Sequence, residues 1–385
     1  MTTTVLRATS SPAFLSLVPH LLECTPHRSL VIVPFGEGRS LGAMRVDLPP
    51  QGDQPTEEGV ASTVVGMACK VTRTDAVAIA VYTDDSVTGG AGAPHTGLVD
   101  AVRARADICG LRVVDALVVG SDGWASYLEP AAGPHPLTEI QDAAFEGLDH
   151  DISGDHLTAA RLPAGSAGDS RLLEQLLVDV EHALRRSRDR RRLSPARRTA
   201  ADAVAAEIAD PPELFERAIG RPADQVDMTR IAALAFCLER PALRDVALMQ
   251  WTGDLATGDA VFRAQTVFRG GEPVPEDLAR PMWGEGAKPD PARLRAGLQL
   301  CRRVASLVAP ERRPGALAAC AWLAWASGRS THAAFYADAA LAIDGTHGLS
   351  EIMRTMLDAG RLPEWVFERS TSPAGKGSSR GSRVR

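Results

Sequence analysis

The sequence predicts an α/β N-terminal domain, a mixed sheet with flanking helices, followed by an all-α helical domain. Three observations predict it. In the first third of the chain, short apolar β-branched runs (Ser29 to Pro34, Ala76 to Tyr82, Leu111 to Val119) alternate with helical patterns. Past Ser170 apolar residues recur at three and four positions almost throughout. Between the two lies an acidic stretch, Glu129 to Ser170, broken by Pro130, Pro134, Pro136 and Pro163. With 385 residues, 45% hydrophobic and 23% charged, the chain has the length of two or three domains and ample material for a buried core, which excludes fibrous and wholly disordered classes.

Taken in order, Ser11-Pro12 reads as a helix start, and Phe14, Leu15, Val18, Leu21 and Leu22 give that helix an apolar face, with Pro19 as a kink. Ser29 to Pro34, the turn Gly36-Glu37-Gly38 and Leu41 to Leu48 read as a β-hairpin. A polar loop, Pro49 to Gly59, leads to a helix ending near Arg73. Ala76 to Tyr82 (AVAIAVY) is apolar at every position, as a strand buried on both faces must be. A helix from Leu98 stops at Gly110; Leu111 to Val119 is the next strand, turned by Gly120-Ser121-Asp122-Gly123 into Trp124 to Leu128. The expected division is an α/β domain over 1–130, a connector over 131–170, a helical domain over 171–369 and a disordered basic tail over 370–385.

In the helical part, Ala321, Gly328, Ala333 and Ala340 are spaced 7, 5 and 7 apart, the small-residue spacing of one tetratricopeptide-like unit. The six cysteines are scattered with no CxxC-type pair, so buried free thiols in a reducing cytoplasm are expected. The longest apolar run, Ala316 to Ala326, is too short for a bilayer, and no signal-peptide pattern opens the chain. The expectation is a cytoplasmic protein that does not engage membranes. The net charge of −6 is uneven: residues 1–170 carry 10 Lys+Arg against 21 Asp+Glu (−11), and residues 171–385 carry 32 against 27 (+5).

Several segments together, PAFLSLVPHLLECTPHRSLVIV, RVDLPP, AVYTDD, LRVVDALVV with WASY, ALRDVAL and the terminal ALAID, resemble an actinobacterial family catalogued as domain of unknown function 4192, in patches from about Ser11 to about Trp365. The resemblance implies an α/β part followed by a helical part and a cytoplasmic actinobacterial origin; it implies no activity. Members often carry cysteines just after the WxSY strand. Here that segment is Leu128 to Pro134 and holds none, so a metal or redox role built on those thiols does not apply.

Candidate sites follow from position and chemistry. Asp84 and Asp85 leave a buried strand where ligands bind in open α/β sheets, and with Asp47 they form a carboxylate set suited to Mg²⁺ or to acid–base work. Ser126 and Tyr127 are the nominated neighbours. The loop Gly89-Gly90-Ala91-Gly92 lacks the residues of a phosphate-binding motif. Asp149-His150-Asp151 and Asp155-His156 offer metal-ligand types without a rigid frame, and His182 is isolated. Eight arginines between Arg185 and Arg198, with Arg188, Arg191 and Arg192 at their centre, supply charge for a nucleic-acid backbone but lack interleaved aromatics. The leading expectation is a non-enzymatic protein whose helical domain binds a protein partner or a second copy, with no cofactor. A ligand, metal or catalytic site around Asp84 and Asp85 stands second, and nucleic-acid binding third.

Overall fold

The computed structural model describes residues 8–22, 24–89, 92–142, 154, 156–185, 193–268 and 275–368, in two compact units. The first takes in Met1–Leu22, Arg28–Leu148 and Phe367–Arg385; the second takes in Glu23–His27 and Asp149–Val366. The expected tail, 370–385, lies outside the described residues.

The first unit is a six-stranded mixed sheet of β1 (Ser29–Gly36), β2 (Arg39–Ser40), β3 (Met44–Asp47), β4 (Ala76–Tyr82), β5 (Arg112–Val119) and β6 (Trp124–Ser126), in the order β2-β1-β4-β5-β6 with β3 also paired to β1. Only β4 and β5 are parallel, joined by the crossover helix α3 (Thr96–Ile108). Helices α1 (Ser11–Leu22) and α2 (Gln54–Lys70) complete the layers. Because strand side chains alternate, Leu30, Ile32, Val77, Ile79 and Val81 pack under α2 and α3, while Val31, Val33, Ala78 and Ala80 pack under α1. That is why β4 can hold no polar residue before Tyr82.

Local chemistry accounts for the departures from expectation. The helix α1 begins at Ser11 because Ser10 is the residue that caps it: its Oγ accepts from Ala13 N at 3.4 Å, leaving the Ser11 hydroxyl to donate to Asp115 at 2.8 Å. The hairpin turn is Glu37-Gly38, both at positive φ (54° and 73°), between the paired Gly36 and Arg39, the geometry of a two-residue hairpin loop. The expected return strand is split into β2 and β3 around Gly42, which has φ 132°. A short helix, Thr138–Asp142, belongs to the first unit and sends Ile140 to the α1 layer, whereas Ala160 lies in the core of the second, so one of the sequence boundaries between the units falls within 131–170.

The second unit is helical among its described residues and is built around Pro314–Ala326, a helix buried at every position. Its neighbours include Met228–Leu238, Pro241–Thr252, Pro291–Leu307 and Ser330–Leu341. The predicted small residues Ala321, Ala333 and Ala340 are fully buried where Pro314–Ala326 packs on Ser330–Leu341. A helix apolar all round is the centre of a bundle, whereas stacked repeat helices keep a face to solvent. The tetratricopeptide-like reading therefore gains no support. Four tryptophans satisfy their indole N–H on backbone carbonyls: Trp251 on Phe215 (3.4 Å), Trp322 on Met282 (3.1 Å), Trp325 on Arg361 (2.7 Å) and Trp365 on Ala326 (2.8 Å). Among the described residues no helix is long and apolar enough to cross a membrane.

Candidate functional site

The chemistry-bearing side chains of the first unit gather where β4 and β5 end. The segment leaving β4 is tied to the β5–β6 turn: Ser121 N donates to Asp85 O at 3.1 Å, and Gly120 lies so close that a Cβ there would stand 2.4 Å from Asp85 O. The Asp122 carboxylate accepts from Ser86 Oγ (2.6 Å), Val87 N (2.8 Å) and Thr88 Oγ1. These donors hold it well below the usual carboxylate range, so it stays ionised and fixes the 86–88 turn.

On this scaffold His95 caps α3 in a left-handed conformation, φ 58°. Its side chain is 7% exposed, and Nε2 lies 3.6 Å from the Asp85 carboxylate, which also accepts from Thr83 Oγ1 at 3.0 Å. At 3.6 Å the contact is electrostatic and orients the ring rather than bonding it. A carboxylate facing Nε2 favours the tautomer with its proton there, which leaves the lone pair on Nδ1, a buried atom with no hydrogen-bond partner. Burial pushes the imidazole pKa below its ordinary value, Asp85 and Glu57 pull it up, and Arg28 pushes it down. Glu57, itself buried, accepts from Gly52 N at 3.0 Å and places Oε2 2.8 Å from where a Cβ on Gly97 would stand, so the first turns of α2 and α3 touch. Tyr127 donates its hydroxyl to the carbonyl of Pro94, pinning the residue before His95.

Of the residues nominated from sequence, Asp85 and Tyr127 come to His95 or its neighbour, and the others are engaged elsewhere. Asp84 is 64% exposed with Arg28 Nε at 3.9 Å; Asp47 is exposed and paired with Arg45; Ser126 Oγ accepts from Leu128 N (3.1 Å) and Glu129 N (3.3 Å). For Asp84 this is the geometry of a polar strand exit. Among the described residues no group of three or more His, Cys, Asp or Glu side chains is placed to hold a metal ion. Arg188, Arg191 and Arg192 lie outside the described residues, as do Asp149, His150, Asp151, Asp155, Gly90 and Ala91. Two arginines at the end of the run are engaged within the fold: Arg197 pairs with buried Asp179, which also accepts from Gln175 Nε2 at 3.0 Å, and Arg198 donates to Leu193 O at 3.2 Å. Cys24, Cys237, Cys301 and Cys320 are buried as expected, whereas Cys69 and Cys109 are exposed.

Sequence reasoning missed His95 and Glu57. Pro94-His95-Thr96-Gly97 between a glycine-rich loop and a helix was the available signal. Fold and site define a protein of an α/β unit with a carboxylate–histidine dyad at its parallel strand ends, continued by a helical bundle. The chain belongs to the family described as Domain of unknown function (DUF4192), matched over residues 12–267. No curated protein matches it, and no solved structure does.

Proposed function

We propose that the α/β unit binds a small polar ligand bearing hydroxyl or amino donors at the carboxyl ends of β4 and β5, with Asp85 as the contact group and His95 behind it. One observation carries the reading: a buried histidine nitrogen without a partner, on a left-handed backbone, beside a carboxylate that is 56% exposed, where a parallel crossover ends. Unpaired buried polar atoms and non-glycine residues at positive φ are costly and cluster at functional sites. Open α/β sheets bind ligands at this edge. The test is a thermal-shift panel of polyols, amines and nucleosides on the full chain, His95→Gln and Asp85→Asn. A compound that stabilises the native chain and neither variant supports the site; no shift, or a shift retained by both variants, overturns it.

A second reading, docking of a protein partner or a second copy on the helical unit, is favoured by Val267, Phe268 and Trp283, large apolar residues 52%, 55% and 44% exposed. Cross-linking and sedimentation of the native chain against Phe268→Ser with Trp283→Ser test it. The family resemblance supports a cytoplasmic, actinobacterial setting for either reading.

A further inference from the structure

We propose that Cys69 and Cys109 are a paired modification site, forming an intrachain disulfide when the protein meets a peroxide. The idea goes beyond the ligand reading and does not depend on it. The two cysteines are forty positions apart in sequence, and only the fold brings them together. Helices α2 and α3 bury Ala61, Val64, Val65 and Ala68 and Leu98, Val99, Val102 and Ala106 in the same core, so they lie side by side on one face of the sheet. Their first turns touch through Glu57 and Gly97, so they run in the same direction. Twelve residues further along each helix stand Cys69, in the last turn of α2, and Cys109, the C-cap of α3. At about 1.5 Å per residue both have travelled roughly the same 18 Å, and the thiols finish at the same height. There the Cys109 thiol is near enough to that of Cys69 to oppose its ionisation, and both residues are exposed.

The chain holds its own contrast. Cys301 and Cys320 are also neighbouring thiols, but they are 1% and 0% exposed inside the helical core, out of reach of a solution oxidant. Accessibility, not thiol proximity alone, separates the two pairs.

The reaction balances with a peroxide as the two-electron acceptor. One thiolate attacks a peroxide oxygen; the O–O bond breaks, hydroxide leaves and takes a proton to become water, and the cysteine is a sulfenic acid. The neighbouring sulfur, giving up its proton, attacks the sulfenic sulfur. The S–O bond breaks, a second water leaves, and the S–S bond forms, so two thiols and one hydrogen peroxide give one disulfide and two waters. Burial and the neighbouring Cys109 thiol push the Cys69 thiol up from its ordinary value, and the negative end of each helix acts in the same sense. Thiolate is therefore scarce at neutral pH, and disulfide formation accelerates as the solution is made alkaline.

The experiment treats the purified full chain with hydrogen peroxide at neutral and mildly alkaline pH and maps non-reduced peptides by mass spectrometry. The expected result is one linked species joining the Cys69 and Cys109 peptides, lighter by two hydrogens than their sum, separated by a reductant and formed faster at the higher pH. Cys301→Ser leaves the link intact. Cys69→Ser and Cys109→Ser, both at exposed positions, abolish it and send the remaining thiol on to sulfinic acid, with circular dichroism confirming the native fold. Recovery of the two peptides unlinked and separately over-oxidised in the native chain, or a link that joins Cys301 to Cys320 instead, overturns the proposal.

Discussion

Replacing Gly315 by alanine tests the central claim about the helical unit, that Pro314–Ala326 is clamped at its start by the end of Met228–Leu238. An added Cβ would stand 2.3 Å from Leu238 O, 2.9 Å from Leu238 C and 3.1 Å from Glu239 Cα. All three are backbone atoms, so no side-chain rotation relieves the overlap, and about 1 Å of separation is needed to reach ordinary van der Waals contact. Neither partner is free to give: Ile231 through Leu238 are buried, and Arg312, just upstream of Gly315, is held by Glu239 at 3.0 Å and Glu181 at 2.6 Å. Overpacking of this kind costs about 1–3 kcal/mol, and its upper end applies where backbone must move. Alanine recovers up to about 1 kcal/mol of helix propensity over glycine, which leaves a net loss of about 2 kcal/mol. Urea unfolding followed by tryptophan fluorescence reads this directly, because Trp251, Trp283, Trp322, Trp325 and Trp365 all lie in the helical unit and only Trp124 in the other. The midpoint should fall with the slope unchanged. Gly66→Ala in α2, where nothing lies within 4 Å of the new Cβ, should instead stabilise the α/β unit by about 0.5–1 kcal/mol. A neutral or stabilising Gly315→Ala would refute the close approach.

His95 has a folded pKa below its ordinary value, so between that value and the unfolded one the unfolded chain binds more protons; its contribution is intact above the unfolded pKa and is lost as pH falls through that window. Stability measured from pH 7 downward should therefore fall less steeply in His95→Gln, and identical profiles would contradict the buried imidazole. Arg293 donates two hydrogen bonds of 2.7 Å to Glu216 and holds its carboxyl below the usual range. With side chains 21% and 31% exposed, Arg293→Met should cost about 1–3 kcal/mol near neutrality, between surface and buried pairs, and progressively less as acid titrates Glu216. For the arginine run, Arg188, Arg191 and Arg192 changed together to Gln should leave the unfolding midpoint unchanged. If the native chain binds RNA or DNA, affinity must fall steeply with salt and the triple change must flatten that slope; no binding by the native chain at low salt ends the nucleic-acid reading.

The sheet was legible where one residue type answers one local demand. Ala76 to Tyr82 reads as a strand buried on both faces because every position must be apolar, and Gly110, at φ 71°, ends α3 as a residue free to turn left-handed. The split of the return strand was hidden because Leu41 to Ala43 continue the apolar pattern while Gly42 breaks the backbone path. For the candidate site, the sequence pointed to the edge where β4 and β5 end and, in Asp85 and Tyr127, to two of the groups found beside His95 or its neighbour. It also favoured Asp47 and Asp84 as carboxylates at strand ends, and neither charge nor strand position says whether a side chain turns toward solvent or inward. His95 was invisible for a different reason. What marks it is a φ angle, a carboxylate ten positions back and another thirty-eight positions back, none of which has a local signature. The Cys69–Cys109 pair is hidden in the same way, since it arises only once two helices are laid in parallel.

The matched family segment ends at residue 267, but the physical unit does not. Met228–Leu238 and Pro241–Thr252, both inside the segment, pack on Pro314–Ala326, which lies outside it. The indole of Trp251 is covered by Gly297, where a Cβ would stand 2.7 Å from the ring, and Gly315 fits against Leu238. A chain ended at residue 267 would therefore expose Ile231, Leu234, Leu248 and Trp251 and lose the helix around which they are arranged, whereas the sheet, α1, α2 and α3 would keep their core partners and give up the Phe367 ring that lies 5.7 Å from Lys70 Nζ. Such a chain should keep protease resistance over 28–142 and lose the near-ultraviolet signal and cooperative unfolding of its helical part. Cooperative unfolding of 160–267 on its own would mean that the residues after 267 add to a core already complete. Failure of that part alone would mean that the later helices complete a core the matched segment only begins, so that a change at Trp322 or Trp325 would be felt by residues within the family match that it never touches.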